Sequence, residues 1–159
     1  MKNRAIVMGV GLLVVSSAWA GGSSSAGVPN PAALFCGKQG GQLAGIDEKA
    51  FGGAQSGLCR LADGAIVEEW TLFRAANSPS QAGQAFLNAS WHGATGPIEG
   101  WAAENCRQLG AQVEVWVEHL RPSAKVEFCA FADGSRLEIW TLFAGPAYYP
   151  ALAKFLRPS

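Results

Sequence analysis

Charge and histidine are both scarce. The 159 residues hold 12 Lys and Arg against 12 Asp and Glu, and only two histidines, His92 and His119. A near-neutral chain with scattered charges has no electrostatic footprint for nucleic acid or an anionic membrane. A zinc site would want close Cys/His pairs, and the cysteine gaps supply none. No Ser/His/Asp order and no glycine-rich phosphate loop occurs, and the serines fall mostly in the leader and linkers. The chain is therefore expected to be non-catalytic, with no cofactor and no metal. Long apolar runs are missing after the N-terminus. The best candidate, residues 137–156, is interrupted by Glu138, Pro146 and Pro150, so neither a pore nor stable membrane insertion is expected.

What the sequence does hold begins with an address. Met1 to Arg4 is a short basic head, residues 5–15 an apolar run, and Ala18-Trp19-Ala20 a small-x-small cleavage signature. Residues 1–20 read as a signal peptide cut after Ala20, giving a periplasmic or secreted protein. Taking away Lys2 and Arg4 leaves ten basic against twelve acidic residues. Residues 21–29, rich in glycine and serine, form a flexible lead.

From there the chain is written twice. Residues 36–73 align without a gap on residues 106–143, seventy positions on, and fourteen of the thirty-eight pairs are identical. They include both cysteines, Gly40/Gly110, Asp63/Asp133, Gly64/Gly134, Glu68/Glu138 and the Trp-Thr-Leu-Phe blocks at 70–73 and 140–143. Internal repetition of this kind decides architecture. In each copy a short helix (31–39, 101–109) is stopped by glycine, and a strand follows. A hairpin closed by Asp-Gly comes next, with Trp-Thr-Leu-Phe in its last strand. The fold class is α+β: two tandem units, each a short helix packed on a three-stranded antiparallel sheet and stapled by one disulfide. The first unit spans 30–76, a linker 77–100, the second unit 101–147 and a tail 148–159. Residues 80–88 have room for a helical turn or two. Leu152, Phe155 and Leu156 sit at the spacing of a short packing helix.

Four cysteines in an exported chain suggest disulfides. Cys36 and Cys59 are twenty-three apart, as are Cys106 and Cys129. This favours a bridge within each unit over the two cross-unit pairings. A type I turn with a left-handed glycine bulge at Asp63-Gly64 sets Leu61 opposite Ala65 and Cys59 opposite Val67. That register makes the cysteine face the core. The other face would carry Leu58, Glu68, Trp70 and Leu72 in one copy and Phe128, Glu138, Trp140 and Leu142 in the other. A sheet apolar on both sides needs a cover. One cover is the other unit's matching face or aromatics from the linker and tail; the alternative is a binding face lined by Trp70, Leu72, Trp140 and Leu142, with Glu68 and Glu138 as polar fixtures.

Asn30-Pro-Ala-Ala-Leu-Phe-Cys36, Gly40-Gly41, Gly57-Leu-Cys59, Asp63-Gly64 and Glu68-Glu-Trp70 resemble a small bacterial exported domain of unknown function, often given a provisional hemolysin label. The first unit matches closely and the second is divergent, with Trp101 where the motif has proline. The resemblance implies a fold and an address. The functional expectation is a non-catalytic binding or envelope-associated module whose partner is a protein or envelope component, with a protease-inhibitor-like scaffold as the alternative.

Overall fold

The computed structural model describes residues 30–45, 57–90, 100–118 and 121–156. The expected signal peptide and lead, residues 46–56 and both histidines lie outside these residues. The first unit starts with helix α1 (Pro31–Lys38), where proline takes the first turn and the Asn30 side chain accepts from the Ala32 and Ala33 N–H groups. Gly40, at φ 73°, turns the chain out of the helix. Three antiparallel strands follow: β1 (Gln42–Gly45), β2 (Gly57–Arg60) and β3 (Ile66–Glu68). The second unit repeats the plan with α4 (Trp101–Gln108), β4 (Gln112–Glu118), β5 (Arg121–Ala130) and β6 (Arg136–Glu138).

Both hairpins have the expected register. Gly64 N–H donates to the Leu61 carbonyl and Leu61 N–H to the Ala65 carbonyl, with the same pair of bonds at Phe131, Gly134 and Ser135. Gly64 and Gly134 sit at φ 89° and 80°, which an L side chain rarely adopts. Cys59 therefore lies opposite Val67. The bridges are Cys36–Cys59 and Cys106–Cys129, with Cα separations of 5.9 and 5.6 Å, each tying a helix to the second strand of its own unit.

The Trp-Thr-Leu-Phe blocks are not strand. Residues Glu69–Ala75 form helix α2 and Ile139–Ala144 form helix α5, so the third strand of each unit ends after three residues. Trp, Thr and Phe favour strands by propensity. The deciding residue is the glutamate before them. Glu68 accepts from Trp70 N–H (2.8 Å), Thr71 N–H (2.7 Å) and the Thr71 hydroxyl (2.8 Å). Glu138 does the same for Trp140 and Thr141. Orphan donors of a helix start are thereby satisfied, and glutamate stands outside the usual capping set of Ser, Thr, Asp and Asn.

The six strands among the described residues make one sheet, in the order β1-β2-β3-β6-β5-β4. The seam is β3 against β6, antiparallel, with Val67 opposite Leu137. The two units are bonded across it reciprocally. Ile66 N–H donates to the Thr141 hydroxyl at 3.1 Å, and Arg136 N–H to the Thr71 hydroxyl at 2.8 Å. Each threonine thus supplies an acceptor to the other unit's short third strand.

The linker and tail continue this exchange. Helix α3 (Gln81–Asn88) lies in the linker and helix α6 (Pro150–Leu156) in the tail. The Gln81 N–H donates to Asp133 at 2.7 Å, and the Ala151 N–H to Asp63 at 2.8 Å. These residues are again seventy positions apart, so the structural repeat runs through both segments. Each unit sends its last helix onto the hairpin turn of the other.

The main core lies between one face of the sheet and the helices. It joins Cys36, Cys59, Val67, Leu72 and Phe86 of the first half to Cys106, Cys129, Leu137, Leu142 and Leu152 of the second, all fully buried. On the opposite face, among the described residues, strands contribute a second cluster: Leu58, Trp116 and Phe128, flanked by Ala44, Ile66 and Val126. In β4 the buried large side chain is Trp116, stacked 4.3 Å from Phe128, while Val115 is half exposed.

Candidate functional site

The six residues expected to share a binding face are separated by the strand-to-helix turn. Leu72 and Leu142 point into the main core and are fully buried. Glu68 and Glu138 are buried helix caps. Trp70 and Trp140 occupy the first turns of α2 and α5, each edge-on to the phenylalanine three residues later, at 5.8 and 5.9 Å between ring centres. Trp70 is half buried; Trp140 is 40 % exposed.

Only Trp140 and Glu138 among the six border a groove, of about 440 Å³, together with Ile66, Val115, Lys125, Val126 and Glu127. Its origin lies in the unequal strands of the second unit. The β6 ladder stops at Glu138, opposite Phe128, while β5 runs back to Arg121. Among the described residues the β6 side of β5 before Phe128 therefore has no strand neighbour. Trp140 stands where the ladder stops. Sequence reasoning found Trp140 and missed the valines. Their signal is the comparison of copies, since Val115, Val126 and Glu127 replace Gly45, Ser56 and Gly57 of the first unit.

The surrounding polar groups are committed to structure. Arg136 donates to Glu114 at 2.8 Å and lies 6.0 Å from the centre of the Trp116 ring, whose N–H also reaches Glu114. In the first unit Glu69 accepts from the Asn30 side chain at 2.7 Å. The second unit has Ile139 and Gly100 at the matching positions, so the two members of this polar pair are replaced together. Asp133, on a second groove of about 540 Å³ beside α3, is held by the Gln81 and Ser135 N–H groups. No group of three His, Cys, Asp or Glu among the described residues could hold a metal ion. No described helix is long and apolar enough to cross a membrane.

Burial raises the pKa of Glu138 and of Glu69, outweighing the hydrogen bonds each accepts. The folded state then holds protons more tightly than the unfolded one, so these two groups favour folding most at low pH. That contribution fades as pH rises from about 4.5, the ordinary value, through the raised one. Relative to the Glu69→Gln/Glu138→Gln double variant, the wild type is expected to lose unfolding free energy as pH rises above 4.5. Urea titrations of both proteins across that range measure the difference. A flat or rising difference contradicts the assignment.

A family model described as Domain of unknown function (DUF333) matches residues 27–76 and, a second time, residues 101–146. No curated protein and no solved structure matches the chain.

Proposed function

We propose that this chain, which belongs to the family described as Domain of unknown function (DUF333), is a non-catalytic binding module acting in the periplasm or after secretion. Its two disulfides support that address, because oxidising compartments are where such bridges persist. The ligand class is an extended polypeptide segment of an envelope or secreted protein. The observation that carries this reading is the groove at Trp140. There β5 has backbone without a strand neighbour among the described residues, and an aromatic ring and three aliphatic side chains stand beside it. An added strand gains affinity from main-chain hydrogen bonds and specificity from alternate side chains that find pockets. A half-exposed tryptophan next to such an edge is the usual kind of anchor.

A displayed library of extended peptides, selected against the purified protein, tests the proposal. Selected peptides are expected to bind the wild type and to lose about tenfold or more in affinity with Trp140→Ala, a hot-spot-sized effect. Melting of the variant should change little, since Trp140 is 40 % exposed. Failure to select any peptide, or binding indifferent to Trp140, overturns it.

A further inference from the structure

We propose that the outer edge of β4 pairs, antiparallel and centred on Val115, with the same strand of a second copy of this chain. Among the described residues β4 ends the sheet, with β5 as its strand neighbour. At seven residues it is the longer of the two edges, β1 having four. Proteins guard exposed edges with proline, lysine, bulges or inward charges, because the unpaired backbone is a template for another strand. β4 has no proline and no lysine, and its irregularity falls at the last step, between Val117 and Glu118. Its central carboxylate, Glu114, is already paired with Arg136. Val115, in the middle of the edge, is 50 % exposed.

The residue pattern selects both the partner and the register. A two-fold axis normal to the sheet keeps matching faces together, so each register is centred on one residue. Centring on Val115 is the arrangement that uses all seven positions. It sets Val113 opposite Val117, Glu114 opposite Trp116, and Val115 opposite itself, building a row of six valines across the two copies. A shift to residue 114 puts Glu114 on Glu114, and a shift to 116 puts it opposite Glu118. Like charges directly opposite one another destabilise a strand pair. Full length and charge therefore choose the same register. The chain already uses such a joint internally, where β3 and β6 meet antiparallel and fuse two three-stranded halves.

Sedimentation equilibrium of the purified protein over a wide concentration range is the test. The wild type is expected to show a reversible monomer–dimer equilibrium. Val115→Lys, which sets two ammonium groups face to face, should weaken association by about tenfold or more, as should Val115→Glu, while the circular dichroism and melting of both stay at the wild-type values. An equimolar mixture of the two variants should recover the dimer, because opposite charges then meet on the axis. Trp140→Ala, which alters the groove but no residue of β4, should dimerise like the wild type and so separates this joint from the peptide groove. A wild type that stays monomeric at every concentration, or a mixture that does not recover, overturns the proposal.

Discussion

Replacing Thr71 and Thr141 together by valine is expected to lower the unfolding free energy by about 2–6 kcal/mol, from roughly 1–3 kcal/mol for each backbone N–H left without its acceptor. Valine matches threonine in shape and lacks the hydroxyl, so the loss reports mainly on the hydroxyl's bonds. Each hydroxyl accepts from a strand of the other unit, at Arg136 and at Ile66, and donates to the glutamate that caps its own helix. Removing it strands one part-buried donor and takes one bond from a buried carboxylate. The loss is large against a domain stability of about 5–15 kcal/mol. Thr71→Ser with Thr141→Ser keeps both bonds and should cost far less. Urea unfolding of the two double variants separates the possibilities. Equal losses would show that methyl packing, and not the hydroxyl, holds the seam.

Removal of the Cys36–Cys59 bridge by alanine at both positions is expected to cost about 3 kcal/mol, the chain-entropy value for a loop of this length. The Cys106–Cys129 bridge closes a loop of the same separation, twenty-three residues, and should cost a similar amount. Both bridges sit in the main core between helix and sheet, so truncation also leaves small voids there. Loss of both together should leave little net stability at ordinary temperature. Thermal melts of the single and double bridge variants measure this. If the two losses are each below about 1 kcal/mol, the helices are held by the sheet without the covalent staples.

Much of the frame was legible because the duplication fixes it twice. The equal cysteine spacing, the Asp-Gly turns and their bulge register all follow from residues with strong local preferences. The third strand was misread because Trp, Thr and Phe favour extended structure, while the helix there depends on one capping glutamate. That misreading carried the candidate face with it. A strand through residue 72 puts Trp70 and Leu72 on one side of a sheet, whereas a helix begun at Glu69 buries Leu72 and turns Trp70 to the rim. The linker and tail helices were legible as short helices, yet not as parts of the repeat. Their packing rests on Asp63 and Asp133, whose turn role hides the bond each makes to the opposite half. The groove was invisible for a different reason. It arises from the length difference between β5 and β6, a property of pairing and not of any single segment.

The identical residues of the repeat now have separate physical reasons. Glu68 and Glu138 start helices, Thr71 and Thr141 cross-bond the strands, and Asp63 and Asp133 hold helix starts from the far unit. Each pair acts between units or at a strand-to-helix turn. Two tandem copies are thus one interlocked fold, with a sheet continuous through both.

Differential scanning calorimetry of the oxidised protein tests that claim most directly. Interlocked halves predict one transition whose calorimetric and van't Hoff enthalpies agree. Two resolved transitions, one for each repeat, would contradict it.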